Sequence, residues 1–344
     1  MQQIENTLYI MTPNSYIHLE NEAVRVDVEH KERLRVPLHH LGAVVTFGNV
    51  MISPALMHRC AEDGIGLVLL SGHGRFKARL EGPISGNVLL RIAQHQLSQP
   101  EKGRLEIARA VVAGKIRNSR QILLRGAREA KAEEDAHLIS QGAEALGESM
   151  RSLLQVATLD ELLGVEGNAA KSYFAALSQL VRPDARDLFR MDGRTRRPPR
   201  DRLNALLSFL YAMLMNDVRS ALESVGLDPQ LGFLHSVRPG RASLALDLME
   251  EFRPYLADRL ALTLINRGQI SADDFEMRTG GAVLLQEEGR RTVVAAYQER
   301  KQEEITHPLL DTRTRLGLLP FLQARLLART IRGDVDSYVP FLVR

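Results

Sequence analysis

The 344-residue sequence has no tryptophan and a single cysteine, Cys60, and aromatic residues make up only 5% of it. One thiol excludes an intrachain disulfide and any multi-cysteine zinc site, and it fits a reducing compartment. With so few rings, the core has to be packed from aliphatic side chains. No segment supplies the roughly twenty apolar residues of a membrane-spanning helix, so no membrane association is expected. The opening MQQIENTLYIM lacks the basic start and long apolar run of a secretory leader, and a cytoplasmic location is expected. There is no low-complexity tract and no repeat of solenoid period. An excess of one charge is also lacking: 45 Lys and Arg against 42 Asp and Glu leave +3. Nucleic-acid binding would therefore have to rest on where the cations lie, not on their sum.

What is present is an ordinary globular composition, 44% hydrophobic and 25% charged, long enough for one or two domains. Residues 7–80 carry short runs of strand length: TLYIM, YIHLE, AVRVDVE, RLRVPL, AVVTFG and GLVLLS. AVRVDVE alternates at Val24, Val26 and Val28, as a half-buried strand does. SPALMHRCAED (53–63) predicts a helix capped by Ser53 with Pro54 at its first position. Glu81-Gly82-Pro83 breaks the pattern, and helical periodicity follows over 87–96, 103–132, 133–156, 172–180, 204–225 and 243–266. Gly114 and Gly126 put the continuity of the second of these in question. The expected fold is α+β: a small β-rich domain over 1–82, then a larger all-α domain over 83–344.

Three features point to chemistry. The stretch 181–202, VRPDARDLFRMDGRTRRPPRDR, holds eight arginines and three prolines and reads as a loop. It is either a solvated linker or a strap for phosphates, which guanidinium groups bind in pairs of hydrogen bonds. In GFLHSVRPGRASLALDLMEEFRP (232–254), Ser243 is expected to cap a helix on which Asp247, Glu250 and Glu251 share an adjacent face, with His235 just upstream. Three carboxylates so close need water or a cation, and Arg253 or a divalent metal are the candidates. In DELLGVEGNAAKSYFAAL, Glu166 falls on a stripe otherwise made of Leu162, Leu163, Ala170, Tyr173 and Phe174. An acid there either reaches water at a weakened helix end or ligates a metal. One imidazole with two or more carboxylates suits manganese or magnesium with positions left for phosphate oxygens.

Four ordered segments, LLGVEGNAAKSYF (162–174), RRPPRDRLNALLSFLYAML (196–214), GFLHSVRPGRASLALDLMEEFRP and QERKQEEITHPLL (298–310), resemble the CRISPR-associated adaptation integrase family. The family's members insert new spacers into a CRISPR array. GLLPFLQARLLARTIRGDVDSYVPFLVR is similar to the ending seen in the type I-C branch. The resemblance implies a β-sandwich-like N-terminal domain joined to an α-helical catalytic domain. It implies a homodimer, and a heterohexamer in which two such dimers flank a dimer of a small ferredoxin-like second adaptation protein. It implies Mg²⁺ or Mn²⁺ held by Glu166, His235 and Glu250, with Asp247 completing the catalytic set and Glu251 outside it. Some members carry aspartate where this chain has Glu250, which lengthens that ligand by one methylene. The implied activity is a metal-dependent endonuclease and integrase in which a DNA 3′-hydroxyl attacks phosphodiesters at the leader–repeat boundary of double-stranded DNA. Arg238, Arg241, Arg196, Arg197, Arg300 and Lys301 are then candidate DNA contacts. His307 reads as structural, and the His39-His40 pair as a turn or a dimer-surface feature. A non-catalytic DNA-binding scaffold, or a repair nuclease for branched DNA, are the competing readings.

Overall fold

The computed structural model describes residues 6–72, 76–80, 82 and 88–343. Of the expected break at 81–83, only Gly82 lies among them. The chain divides into two compact units, residues 1–85 with 286–294, and residues 86–285 with 295–344.

The first unit holds two four-stranded sheets. Its elements run β1 (Asn6–Ile10), β2 (Tyr16–Glu20), β3 (Ala23–Val28), β4 (Lys31–Pro37), β5 (Leu41–Phe47), β6 (Met51–Ile52), α1 (Pro54–Asp63), β7 (Gly66–Leu70) and β8 (Phe76–Leu80). One sheet has the order β1-β5-β7-β8, parallel except for the last pair, and the other β4-β3-β2-β6. A single apolar cluster draws Leu8, Val44 and Leu67 from the first sheet, Ile17, Val24 and Val26 from the second, and Leu56 and Cys60 from α1. That is the sandwich-like arrangement the family resemblance implies. The alternation of AVRVDVE does its work here: Val24 and Val26 are buried, while Arg25 and Asp27 pair at 2.8 Å on the other face. The hairpins on either side of β3 turn at Asn21-Glu22 and Glu29-His30, all four with positive φ, the backbone that matches the twist of paired strands. Ser53 accepts from the Leu56 N–H at 3.2 Å, Pro54 opens α1, and Gly64 closes it in the left-handed region.

The second unit is built from α2 (Val88–Ser98), α3 (Glu101–Glu129), α4 (Glu133–Ser152), α5 (Leu159–Leu177), the single turn α6 (Pro183–Arg186), α7 (Arg202–Ser224), α8 (Ser243–Met249) and α9 (Arg259–Asn266). Two small hairpins follow, β9 (Phe275–Met277) with β10 (Val283–Leu285), and β11 (Glu304–Thr306) with β12 (Arg313–Arg315). Helix α10 (Glu287–Gln302) lies between them in sequence, and α11 (Leu319–Arg332) comes last. Helix α3 is unbroken by its glycines, because they serve packing. A Cβ on Gly114 would stand 2.7 Å from Cβ of Pro340, and one on Gly126 would overlap Leu180. Helix α5 starts well before the expected 172. Thr158 and Glu161 form a capping box that fixes its first turn, which carries Gly164 and Gly167 along inside the helix.

Two expectations are corrected. Residues 243–266 do not form one helix: α8 stops at Met249, a turn and a π-helical segment at Arg253–Asp258 follow, and α9 resumes. Pro254, which has no N–H to donate, sits at that break. Ser243 is not the cap of α8. It is the first helical residue, and its hydroxyl donates to the Ser236 carbonyl at 3.0 Å. The 181–202 stretch is a loop around one short turn, but it is not merely solvated: Val181, Phe189 and Met191 are buried, and Arg194 reaches the side chain of Asn204 at 2.6 Å.

Candidate active site

The break after α8 spreads its three acids in three directions. Asp247, Glu250 and Glu251 are 1%, 2% and 0% exposed, so a solvated acidic face is ruled out. Asp247 is satisfied by the loop before it. One oxygen accepts from the N–H groups of Phe233 (2.6 Å) and Leu234 (3.0 Å), the other from the N–H of His235 (2.9 Å) and from its Nδ1 (2.7 Å). This close approach needs Gly232, since a Cβ there would stand 2.7 Å from the Asp247 carboxylate. With Nδ1–H committed to a carboxylate, Nε2 of His235 is left as the lone-pair nitrogen, the usual arrangement behind a ligating imidazole. It faces Glu250 Oε1 at 3.9 Å.

Glu250 is held between two cations. Arg253 Nη1 donates to Oε1 at 2.6 Å, and Lys115 Nζ lies 2.8 Å from Oε2. Burial alone would raise the Glu250 carboxyl, but the charges of Arg253 and Lys115 outweigh it and hold it at about 2. The same Lys115 ammonium hydrogen-bonds Glu166 Oε1 from α5. Glu166 and Glu250, 84 residues apart in sequence, are thereby joined through one ammonium, with His235 beside Glu250. Behind them Arg253 stacks over Tyr211, whose hydroxyl donates to Asp258 at 2.6 Å, as does that of Tyr173 at 2.8 Å. Burial lifts the Asp258 carboxyl to about 6 despite those bonds. Glu251 points the other way. It accepts from Tyr338 Oη (2.8 Å), the Phe341 N–H (2.9 Å) and Gln323 (3.2 Å), and burial raises it to about 8.

Among the described residues no three His, Cys, Asp or Glu side chains stand ready around one point as a cation site. Lys115 occupies the gap between two of the three expected ligands. The donor set itself, two carboxylates and one oriented imidazole, fits a hard divalent ion once the ammonium moves aside.

Residues 8–299 match the family model of the CRISPR associated protein Cas1. The chain belongs to the Cas1 family. A CRISPR-associated endonuclease Cas1 from Moorella thermoacetica is 53% identical over the full length of both chains. Among solved structures, the chain of a Cas6-RT-Cas1–Cas2 complex matches with TM-score 0.82 and 26% identity, over 99% of this chain and 36% of that one. A casposase bound to integration product shares the fold, with TM-score 0.83 and 21% identity over 96% and 92% of the two chains.

The six candidate cations separate into two groups. Arg241 is half-buried, its guanidinium held below its usual range by burial and by the charges of Arg238, Arg197 and Arg196. Arg241 thus feels the charge of each of the other three, and that of Asp247, which counteracts them. Arg196, Arg197 and Arg238 are exposed. The other two are engaged by partners within the fold. Lys301 is buried with its ammonium 3.0 Å from Asp217, and Arg300 is bound to Glu303 at 2.5 Å and to the Tyr255 carbonyl at 3.3 Å. Buried in its ion pair with Asp217, Lys301 lacks the exposure that Arg196, Arg197 and Arg238 have. His307 is buried against Gln323 at 3.1 Å, in keeping with a structural role. Among the described residues no helix is long and apolar enough to cross a membrane.

Lys115 is the site residue that the sequence reading passed over. Its signal was there: Ala108, Val111, Val112 and Ser119 share its buried stripe of α3, so a lysine stands where the pattern calls for an apolar side chain.

Proposed function

We propose that this Cas1 protein is a metal-dependent DNA endonuclease and integrase of CRISPR adaptation, with Glu166, His235 and Glu250 as the ligands of Mg²⁺ or Mn²⁺. The observation that supports the reading is an α5 carboxylate and a carboxylate from the turn after α8 joined through one ammonium, with an Asp247-oriented imidazole 3.9 Å from the second and Arg241 close by. When bound, a divalent cation supplies charge neutralisation at a phosphoryl group and orients the attacking oxygen. The chain's own residues do the rest. Asp247 keeps the proton on Nδ1 of His235, so Nε2 stays available on the site side. Arg253, fixed over Tyr211, keeps the Glu250 carboxylate ionised and aimed. Arg196, Arg197, Arg238 and Arg241 offer phosphate contacts along the approach.

In the integration step a DNA 3′-hydroxyl attacks a phosphodiester at the leader–repeat boundary. One P–O bond forms as another breaks, so no nucleotide triphosphate is consumed. A second attack on the other strand at the far end of the repeat completes the insertion. Water in place of the hydroxyl gives endonuclease cleavage. A homodimer built on the N-terminal unit, acting with a small ferredoxin-like second protein, is the assembly we propose; the Cas6-RT-Cas1–Cas2 neighbour supports a partner of that kind.

The test is strand transfer into a leader–repeat plasmid, with Mn²⁺ or Mg²⁺, with and without the small partner. Joining should require the metal and be lost in His235→Ala, with DNA binding retained. Joining by His235→Ala at the parental rate would refute the ligand assignment. Cleavage of branched DNA without any joining at repeats would favour a repair nuclease instead.

A further inference from the structure

We propose that Lys115 is the site's own counter-cation, a positioning residue that holds Glu166 and Glu250 together before a metal arrives and must give up its place when one binds. This rests on the reading of Glu166, His235 and Glu250 as metal ligands. Two carboxylates that both stay ionised in a partly buried space need positive charge between them. In this protein that charge is the Lys115 ammonium, which contacts Glu166 Oε1 and stands 2.8 Å from Glu250 Oε2. It touches two of the three ligands, whereas Arg253 touches only Glu250. Arg253 is also fixed in place by stacking 4.9 Å over the Tyr211 ring. Lys115 has the opposite character, a point charge on a flexible four-carbon stem. The exchangeable cation of the pair is thus the lysine.

Helix α3 fixes where that stem starts. One turn after Lys115, Asn118 donates to the Glu251 carbonyl and to the Phe341 carbonyl, both at 2.8 Å. Beside Lys115, Gly114 leaves room for Pro340 and the Glu251 side chain to close in. The backbone at Lys115 is therefore tied to the turn that carries Glu250, and only the side chain is free to change partners. A metal and the ammonium compete for the same oxygens. The bridged state must be opened before the ion binds, so it weakens apparent metal affinity by the fraction of molecules that are closed.

The experiment is Mn²⁺ binding to the full chain, followed by the electron paramagnetic resonance signal of free Mn²⁺, together with thermal melts with and without the ion. The variants are Lys115→Met and, in case that one does not fold, Lys115→Gln. Both should bind Mn²⁺ at least about tenfold more tightly than the parent, since the competing charge is gone. Without metal they should melt lower, by about 5 °C, and saturating Mn²⁺ should close most of that gap. A lysine that merely supports the fold would lower the melting temperature and leave the affinity unchanged or weaker. Parental Mn²⁺ binding that does not tighten in either variant overturns the proposal alone. Failure of the parent and of both variants to retain Mn²⁺ overturns the metal centre itself, and the exchange with it.

Discussion

Replacing Glu251 with glutamine should remove a pH dependence from the protein's stability. The carboxyl is fully buried, and burial raises it to about 8 against 4.5 for the ordinary side chain, outweighing the donors Tyr338, Phe341 and Gln323. Between those two values the folded state keeps a proton that the unfolded chain has released. Stability therefore falls as pH rises: the contribution is fully present below about 4.5 and is lost by about 8. At about 1.4 kcal/mol per pH unit the full interval corresponds to roughly 5 kcal/mol as a ceiling, and relaxation around a buried charge brings the expected value to about 2–3 kcal/mol. Glutamine has the shape of the protonated acid. Its oxygen can accept from the Phe341 N–H and its amide can donate to Tyr338 Oη, while Gln323 keeps its bonds to Tyr338 Oη and the Val339 carbonyl. Urea unfolding of both proteins at pH 5.5, 7 and 9 is the assay. The two should be nearly equal at pH 5.5, and the variant should gain on the parent by about 2–3 kcal/mol by pH 9. Asp258, raised to about 6, is present in both and cancels in the difference. A difference that stays flat from pH 5.5 to 9 would refute the reasoning.

Asp247→Asn leaves one oxygen to serve three N–H groups and the imidazole. It should cost about 2–4 kcal/mol and weaken Mn²⁺ binding by roughly 10- to 100-fold, readable by urea unfolding and calorimetry. Unchanged metal affinity would mean that Asp247 does not orient His235. Gly232→Ala should destabilise by about 1–3 kcal/mol, because its Cβ meets Asp247 and Ser243. Gly164→Ala, with nothing within 4 Å, should be neutral or stabilising by up to about 1 kcal/mol. Glutamine at any one of Arg196, Arg197, Arg238 or Arg241 should reduce the slope of log affinity for DNA against log salt by about 1. Lys301→Gln should lower the melting temperature and leave that slope alone.

The fold was legible where one local rule decides the outcome. Alternation marked β3, and Ser53 with Pro54 marked the start of α1. The helix expected over 172–180 begins earlier, at Leu159, because the Thr158–Glu161 box caps it there. The single helix drawn through 243–266 followed the stripe Leu244, Leu248, Phe252 and Leu256, which is indeed buried. The same stripe hides the break, because apolar packing continues through the π-helical turn while the backbone bonding does not. Glu166 stood out as an acid on an apolar stripe, and His235 as a histidine just upstream of three clustered acids. Lys115 broke the same rule on α3, but a lysine in a helix rich in arginine draws less notice than an acid. That Glu251 turns away from Glu250 could not be seen in sequence, since its partners Gln323, Tyr338 and Phe341 lie more than 70 residues on.

The most direct measurement is anomalous diffraction from crystals of this protein grown or soaked with Mn²⁺. A single strong peak should appear within ligand distance of Glu166, His235 Nε2 and Glu250, with the Lys115 ammonium withdrawn from between the two carboxylates. No peak there, with Lys115 still bridging Glu166 and Glu250 at saturating Mn²⁺, would contradict the metal centre and everything built on it.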